Sequence, residues 1–306
     1  MIGKKIKKRI IQKIKFELGL NLLEEENKSL HHLLNYCIDI TKIPPTKDED
    51  LRILQKCDTL LLAIFDKLCQ MHGLSYWIDY GTLLGAVRHK GFIPWDNDID
   101  VSMPREQIDQ VMALMKSEVK QMGLSLRESY MHPLRCLVIG YKEEETGVWV
   151  DIFAVDSCKT NASDTVILET FKKYRNYFLE NMQLGPAELT AKKEELLSSL
   201  PEGDTEYMLP LMEGWDGEIC FFYKKSEVYP ISRINFEGYE LNAPANPNQL
   251  LQKRYGVGYM QFPKFAVNNH GRDPELSVTM RAKRNGIDMN EVHQHLQSIY
   301  ERLENV

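Results

Sequence analysis

Three aspartates alternate near the end of the segment Tyr80 to Val101, at Asp96, Asp98 and Asp100. In a strand, residues two apart project to the same face, about 7 Å apart along the backbone. Carboxylates set side by side repel, and each becomes harder to ionise. A divalent cation removes that penalty, and carboxylate oxygens are natural ligands for magnesium, or manganese in its place, which also keeps waters and substrate phosphate oxygens. The competing reading of a lone D-x-D pattern is a solvated strand face or a turn cap. A further acid, Asp151, interrupts the apolar run Val148-Trp149-Val150-Asp151-Ile152-Phe153. Its alternatives are an edge position in water or a buried position with a partner, because an acid in a buried strand is unfavourable alone. Asp156, nearer the end of that run, reads as a turn or cap residue.

The neighbours of the aspartates favour phosphate chemistry. Gly81-Thr82 lies between an expected strand and a short helix, where backbone N–H groups and a hydroxyl can meet a phosphate at a helix N-terminus. Arg88, His89 and Lys90 follow and offer positive charge to anionic oxygen. His89 has no visible nucleophile or metal partner in the sequence, and Trp95 beside Pro94 reads equally as core.

Taken together, Gly81-Thr82, the Arg88 cluster, Ile93-Pro94-Trp95-Asp96 and Asp98-Ile99-Asp100 resemble the signature of the LicD family. That family includes bacterial phosphocholine transferases and is similar in its core to fukutin and fukutin-related protein. The resemblance is tight over 76–103, is supported by the run around Asp151, and returns weakly in Phe236-Glu237-Gly238 through Pro247 and in Tyr255-Gly256. It does not cover the first forty residues, and the zinc-binding cysteine cluster of fukutin-related protein has no counterpart here. The resemblance implies an α+β, DNA polymerase β-like nucleotidyltransferase fold with helical additions. It places Asp98, Asp100 and Asp151 at the catalytic metal, with Asp96 beside them and Gly81 and Thr82 at the preceding turn. It further implies transfer of a phospho-alcohol, most simply phosphocholine, from a CDP-linked donor to a hydroxyl of a glycan or lipid-linked glycan precursor. CMP leaves, Arg88, His89 and Lys90 contact donor phosphates, and Tyr80 and Trp95 pack on the nucleotide or the choline. Two other readings stay open: nucleotidyl transfer from a nucleoside triphosphate, and a non-catalytic glycan-binding module of the same fold.

These residues need elements to position them. Ile43-Pro44-Pro45 breaks any helix, and Thr46 with Glu49 forms a capping box ahead of an amphipathic helix that ends near Gly73. A short strand is expected within 74–78, a turn and short helix within 81–89, and a second strand over 99–103. Pro104 suits the first position of another helix running to Gly123. Strands follow over 124–126, 136–141 and 148–155, the last two separated by the turn-like 143–147. Residues 161–200 read as helical, 201–217 as irregular, 231–241 as strand-like, 242–247 as a loop, and a final helix begins near Asn290. The expected division is a basic segment over 1–45, a catalytic core over 46–160 and a mostly helical region over 161–306 that completes the site.

Composition sets the outer bounds. The 306 residues carry a net charge of −6, but seven basic residues and no acidic ones lie in the first fifteen, which leaves −13 for the rest. An acidic body disfavours nucleic acid. Ile2, Ile6, Ile10 and Ile14 repeat every four residues among those lysines, the pattern of a helix lying on an anionic membrane. A solvated basic arm and a core-packed helix are the alternatives. No run reaches the roughly 20 apolar residues of a membrane span. No secretory signal is legible and the six cysteines are scattered, so the expected address is cytoplasmic, at the inner face of the cell membrane, with reduced thiols.

Overall fold

The computed structural model describes residues 20–131, 134–210, 221–263 and 280–305. The isoleucine-lysine pattern of residues 1–15 and Cys220 lie outside them. Helix α1 (Leu20–Cys37) and a single 3-10 turn (Ile40–Lys42) lead into α2 (Glu49–His72). The α2 cap sits two residues beyond the expected Thr46: Asp48 accepts from Leu51 N at 3.1 Å, while the Thr46 hydroxyl accepts from Asp48 N. A carboxylate at that place also complements the helix dipole. α2 ends at Gly73, in left-handed geometry with φ 65°. It buries Leu54, Leu61, Ile64, Phe65 and Leu68, and it packs between the sheet and the last helix, α8 below.

A mixed seven-stranded sheet carries the centre of the molecule. After β1 (Trp77–Ile78), helix α3 (Tyr80–His89) precedes β2 (Asp100–Pro104) and α4 (Arg105–Gln121). Pro104 therefore closes the strand and caps the helix from outside rather than opening it. Next come β3 (Ser125–Met131), β4 (Leu134–Tyr141), a one-turn helix at Glu143–Thr146, and the twelve-residue β5 (Val148–Lys159). The order is β1-β2-β5-β4-β3, and only the β2–β5 pair is parallel. Burial on both faces explains the near-continuous apolar sequence of β5. Asp156 corrects an expectation. It lies inside β5, 6% exposed, bonded to Arg105 at 2.5 and 2.9 Å and to Lys193 at 2.9 Å, so it is a buried ion-paired acid and not a turn residue.

Helices α5 (Asp164–Glu180) and α6 (Pro186–Ser198) form the expected helical stretch, with Ile167, Phe171 and Tyr174 in a second apolar cluster. The supposedly irregular 201–217 contains β6 (Glu206–Pro210), which extends the sheet by pairing with Val155–Lys159 of β5, and β7 (Tyr223–Lys224) pairs with β6. Proline and acidic residues around it hid this short strand in the sequence. A one-turn helix (Lys225–Val228) leads to the strand-like 231–241, which is a hairpin of β8 (Ser232–Phe236) and β9 (Tyr239–Ala243) turning at Glu237-Gly238. The loop read over 242–247 ends by starting α7 (Pro247–Tyr255). After a single turn at Arg281–Arg284, the chain closes with α8 (Met289–Glu304).

The hairpin is tied to α2 at two points. Buried Asp66 accepts from both terminal nitrogens of Arg233, at 2.7 and 2.9 Å, and from the Tyr76 hydroxyl at 2.7 Å. Glu237 takes a bidentate bond from Arg52 and also accepts from Phe92 N at 3.2 Å. That second tie fixes the loop that delivers Asp96. Among the described residues no helix is long and apolar enough to cross a membrane.

Candidate active site

Backbone bonds on three sides hold Asp100. Its N–H donates to the Thr82 hydroxyl at 2.9 Å, its carbonyl accepts from Asp79 N at 3.1 Å, and the preceding Ile99 carbonyl accepts from Asp151 N at 2.9 Å. The parallel register sets Asp100 directly beside Asp151. Asp79 anchors the start of α3, accepting from Tyr80 N at 2.8 Å and from the Ser102 hydroxyl at 2.7 Å. Gly81 leaves room for Asp96: a Cβ there would stand 2.8 Å from an Asp96 carboxylate oxygen. From α2, Gln55 donates to the Asp96 carbonyl at 2.8 Å. Gly81 and Thr82 thus fall in the first turn of α3, where one admits a carboxylate and the other clamps the strand.

Asp98, in the extended lead-in to β2, is the common neighbour of four other acids. Burial raises Asp58, Asp96 and Asp100 well above the ordinary carboxylate range, and the Asp98 charge pushes each further. Asp151 is pushed up to about 7, mainly by burial and partly by Asp98, against the stabilising N–H of Trp149. The Trp149 indole donates to Asp151 Oδ2 at 3.0 Å, and the Trp149 backbone N–H donates to Asp58 Oδ1 at 3.2 Å. Asp58, 1% exposed on α2, keeps Oδ2 buried with no hydrogen-bond partner among the described residues.

The three basic residues expected at the site have different surroundings. Arg88 is buried near Asp96, but its Nε donates to His89 at 3.0 Å and its Nη1 to the Tyr259 carbonyl at 3.2 Å. Burial and the Arg88 charge hold His89 down to about 4, so its ring is neutral at pH 7. Lys90 is exposed at the left-handed cap of α3, φ 61°. Trp95 is half-buried against the main core. Tyr80 does reach the cluster, with φ 49° and its ring 5.2 Å from that of Phe153.

Sequence reasoning missed four groups here. Trp149 sits two residues before Asp151, on the same strand face, and that spacing was a usable signal. Asn246-Pro247 followed by Leu250 and Leu251 was a legible start for α7, the helix that brings Arg254 to Asp79 at 3.2 Å. Asp58 and Asp79 carried no comparable signal, since their roles arise from long-range packing.

The donor set suits a hard divalent cation: clustered carboxylates, pushed toward protonation by burial and by one another, with one buried oxygen lacking a partner among the described residues. They are neighbours rather than a finished cage, because among the described residues no three His, Cys, Asp or Glu side chains already converge at ligand spacing.

Comparison with known proteins fits this geometry. Residues 73–192 match the family described as LicD/FKTN/FKRP, nucleotidyltransferase domain. They form a LicD-family domain. The chain is 26% identical over 193 residues to the lipopolysaccharide cholinephosphotransferase LicD of Haemophilus influenzae, covering 60% of this chain and 70% of that protein. It is 34% identical over 89 residues to an uncharacterized protein of Rickettsia typhi, covering 28% of each chain. Over 46 residues it is 41% identical to the human ribitol 5-phosphate transferase FKRP, covering 15% of this chain and 9% of that one. The LicD-family domain contains Asp79, Asp96, Asp98, Asp100 and Asp151, whereas Asp58 and Arg254 approach from outside its bounds.

The raised Asp151 carboxyl gives a signed stability prediction. Between the unfolded-chain value of about 4 and the folded value of about 7, the folded state binds the extra proton. Stability is therefore lost as pH rises through that window. Without divalent cations, Asp151→Asn should gain stability relative to wild type from pH 4 to pH 7, by up to about 4 kcal/mol, and hold that gain above pH 7. Urea unfolding in EDTA at several pH values checks this, and a pH-independent difference would show that Asp151 keeps its charge in the fold.

Proposed function

We propose that the chain is a LicD-type phosphotransferase that moves a phosphorylated alcohol, phosphocholine foremost, from a CDP-linked donor to a hydroxyl of a cell-surface glycan precursor, releasing CMP. The observation that carries this reading is the registered placement of Asp100 beside Asp151, with Asp98 next to both, inside a LicD-family domain. The name of the Haemophilus relative supports phosphocholine and lipopolysaccharide, and that of the human relative supports a phosphorylated alcohol in general. We take the core to be DNA polymerase β-like, as the order β1, α3, β2 and a parallel acid-bearing neighbour supports.

Asp98, Asp100 and Asp151, with Asp96 beside them, would hold magnesium, or manganese in its place, which when bound neutralises donor phosphate charge and polarises the phosphorus under attack. Asp151 receives the proton of the acceptor hydroxyl, directly or through a water. The acceptor oxygen forms the new P–O bond, the bond from that phosphorus to CMP breaks, and CMP leaves with its electron pair. Trp149 fixes the Asp151 carboxyl through its indole N–H, and Thr82 fixes Asp100 through the backbone. Rigid placement of this kind is what an in-line displacement requires of a protein.

A second reading, nucleotidyl transfer from a nucleoside triphosphate, is favoured by the description of the matching family as a nucleotidyltransferase domain. The product separates the two, CMP against pyrophosphate. Wild type should release CMP from one of CDP-choline, CDP-ribitol or CDP-glycerol with magnesium and a glycan acceptor, and Asp100→Ala should lose at least a hundredfold in kcat. Pyrophosphate release from CTP, with no CMP from any CDP-alcohol, would replace the first reading with the second.

Work at an anionic membrane surface is part of this proposal. It is supported by the exposed Leu22, Leu23, Leu30, Leu33 and Tyr36 of α1, which follow the lysine-rich first fifteen residues. Deleting residues 1–15 should abolish sedimentation with phosphatidylserine vesicles at physiological salt. Equal sedimentation of the truncated chain would remove the membrane from the account.

A further inference from the structure

Arg254 closes α7, and its side chain is 5% exposed. Its guanidinium carbon lies 3.3 Å from the centroid of the Tyr80 ring and 4.4 Å from that of Phe221, so the plane is stacked between aromatic faces. Nη1 donates to Asp79 Oδ1 at 3.2 Å. Nε and Nη2 are buried and, among the described residues, have no hydrogen-bond partner of good geometry, although the Tyr80 side chain lies against the guanidinium. These two nitrogens carry the parallel N–H pair along one edge of the guanidinium, the fork that grips two oxygens of a carboxylate or phosphate at once. Stacking prevents the fork from turning out to water, and leaving charged donors buried without acceptors is unfavourable. The Arg254 charge also acts on Asp100, which places the fork within the electrostatic reach of the carboxylate cluster.

We propose that the Nε–Nη2 edge of Arg254 binds a phosphate of the substrate beside Asp100, adding an anion-binding residue to the expected Arg88, His89 and Lys90. The inference rests on the reading of the chain as acting on a phosphate-bearing donor, and it names the diphosphate as the part recognised. Asp79 sets the angle of the guanidinium by holding its other arm, and Tyr80 and Phe221 hold its plane. Helix α7 thus lends the LicD-family domain a substrate contact from outside 73–192.

The test uses the full chain and inorganic pyrophosphate with magnesium, titrated calorimetrically. Wild type should bind, and Arg254→Lys, which keeps a cation near Asp79 but lacks the fork, should bind at least tenfold more weakly with an unchanged circular dichroism spectrum. Asp109→Asn, at an exposed position of α4 away from the fork, should stay within about threefold of wild type. Unchanged affinity in Arg254→Lys, equal losses in both variants, or no binding by wild type would overturn the inference. Should Arg254→Lys fail to fold, arginine Nε–H resonances of the wild-type protein decide: a buried one must shift on adding pyrophosphate, and none shifting counts against. Weakened pyrophosphate binding in Arg254→Lys, with no CMP released from any CDP-alcohol, leaves this inference standing and removes the transfer reading. CMP release by a variant with unaltered pyrophosphate affinity does the reverse.

Discussion

Asp98, Asp100 and Asp151 stand within one another's field because the backbone leaves them no alternative. The bond from Asp151 N to the Ile99 carbonyl, and those from Asp100 N to Thr82 and from Asp79 N to the Asp100 carbonyl, are formed whatever charge the side chains carry. Sheet register and a helix start therefore override carboxylate repulsion, and burial, with the neighbouring charges, holds Asp100 and Asp151 above their ordinary range. Ionising these acids is unfavourable without positive charge nearby, and under the proposed function a bound cation would relieve that cost.

Much of the remaining fold serves that constraint. α2 supplies Gln55 to the Asp96 carbonyl and Asp58 to the Trp149 amide, so a single buried helix touches both acid-bearing segments. The Glu237 corner of the β8–β9 hairpin joins Arg52 of α2 to Phe92, fixing the loop between α3 and the aspartates. α7 brings Arg254 against Asp79 and Tyr80. These ties come from both sides of the LicD-family domain in sequence, so the site is a property of the whole described chain.

The acids were legible in the sequence because their spacing is local. Alternation of Asp96, Asp98 and Asp100, and a lone Asp151 in an apolar run, are patterns within a few residues, and so are the α2, α4 and α8 periodicities. What stayed hidden depends on distance along the chain. Asp58 looks like one more polar residue of an amphipathic helix until α2 is laid against β5, and Asp156 looks like a strand-end cap until Arg105 and Lys193 close on it. Arg254 sits 154 residues from Asp100, beyond any motif. β6 was lost for a different reason: it is five residues long and bounded by proline and acidic residues that read as a loop, and its pairing with β5 and β7 is long-range.

Direct cation binding tests the central claim most closely. Manganese titrated into the protein, with the free ion followed by electron paramagnetic resonance, reports the site without any substrate. The account predicts that wild type and a control at the exposed Asp109, Asp109→Asn, take up the ion equally, while Asp100→Asn binds at least tenfold more weakly. Uptake by Asp100→Asn equal to wild type, or none by wild type, would contradict it.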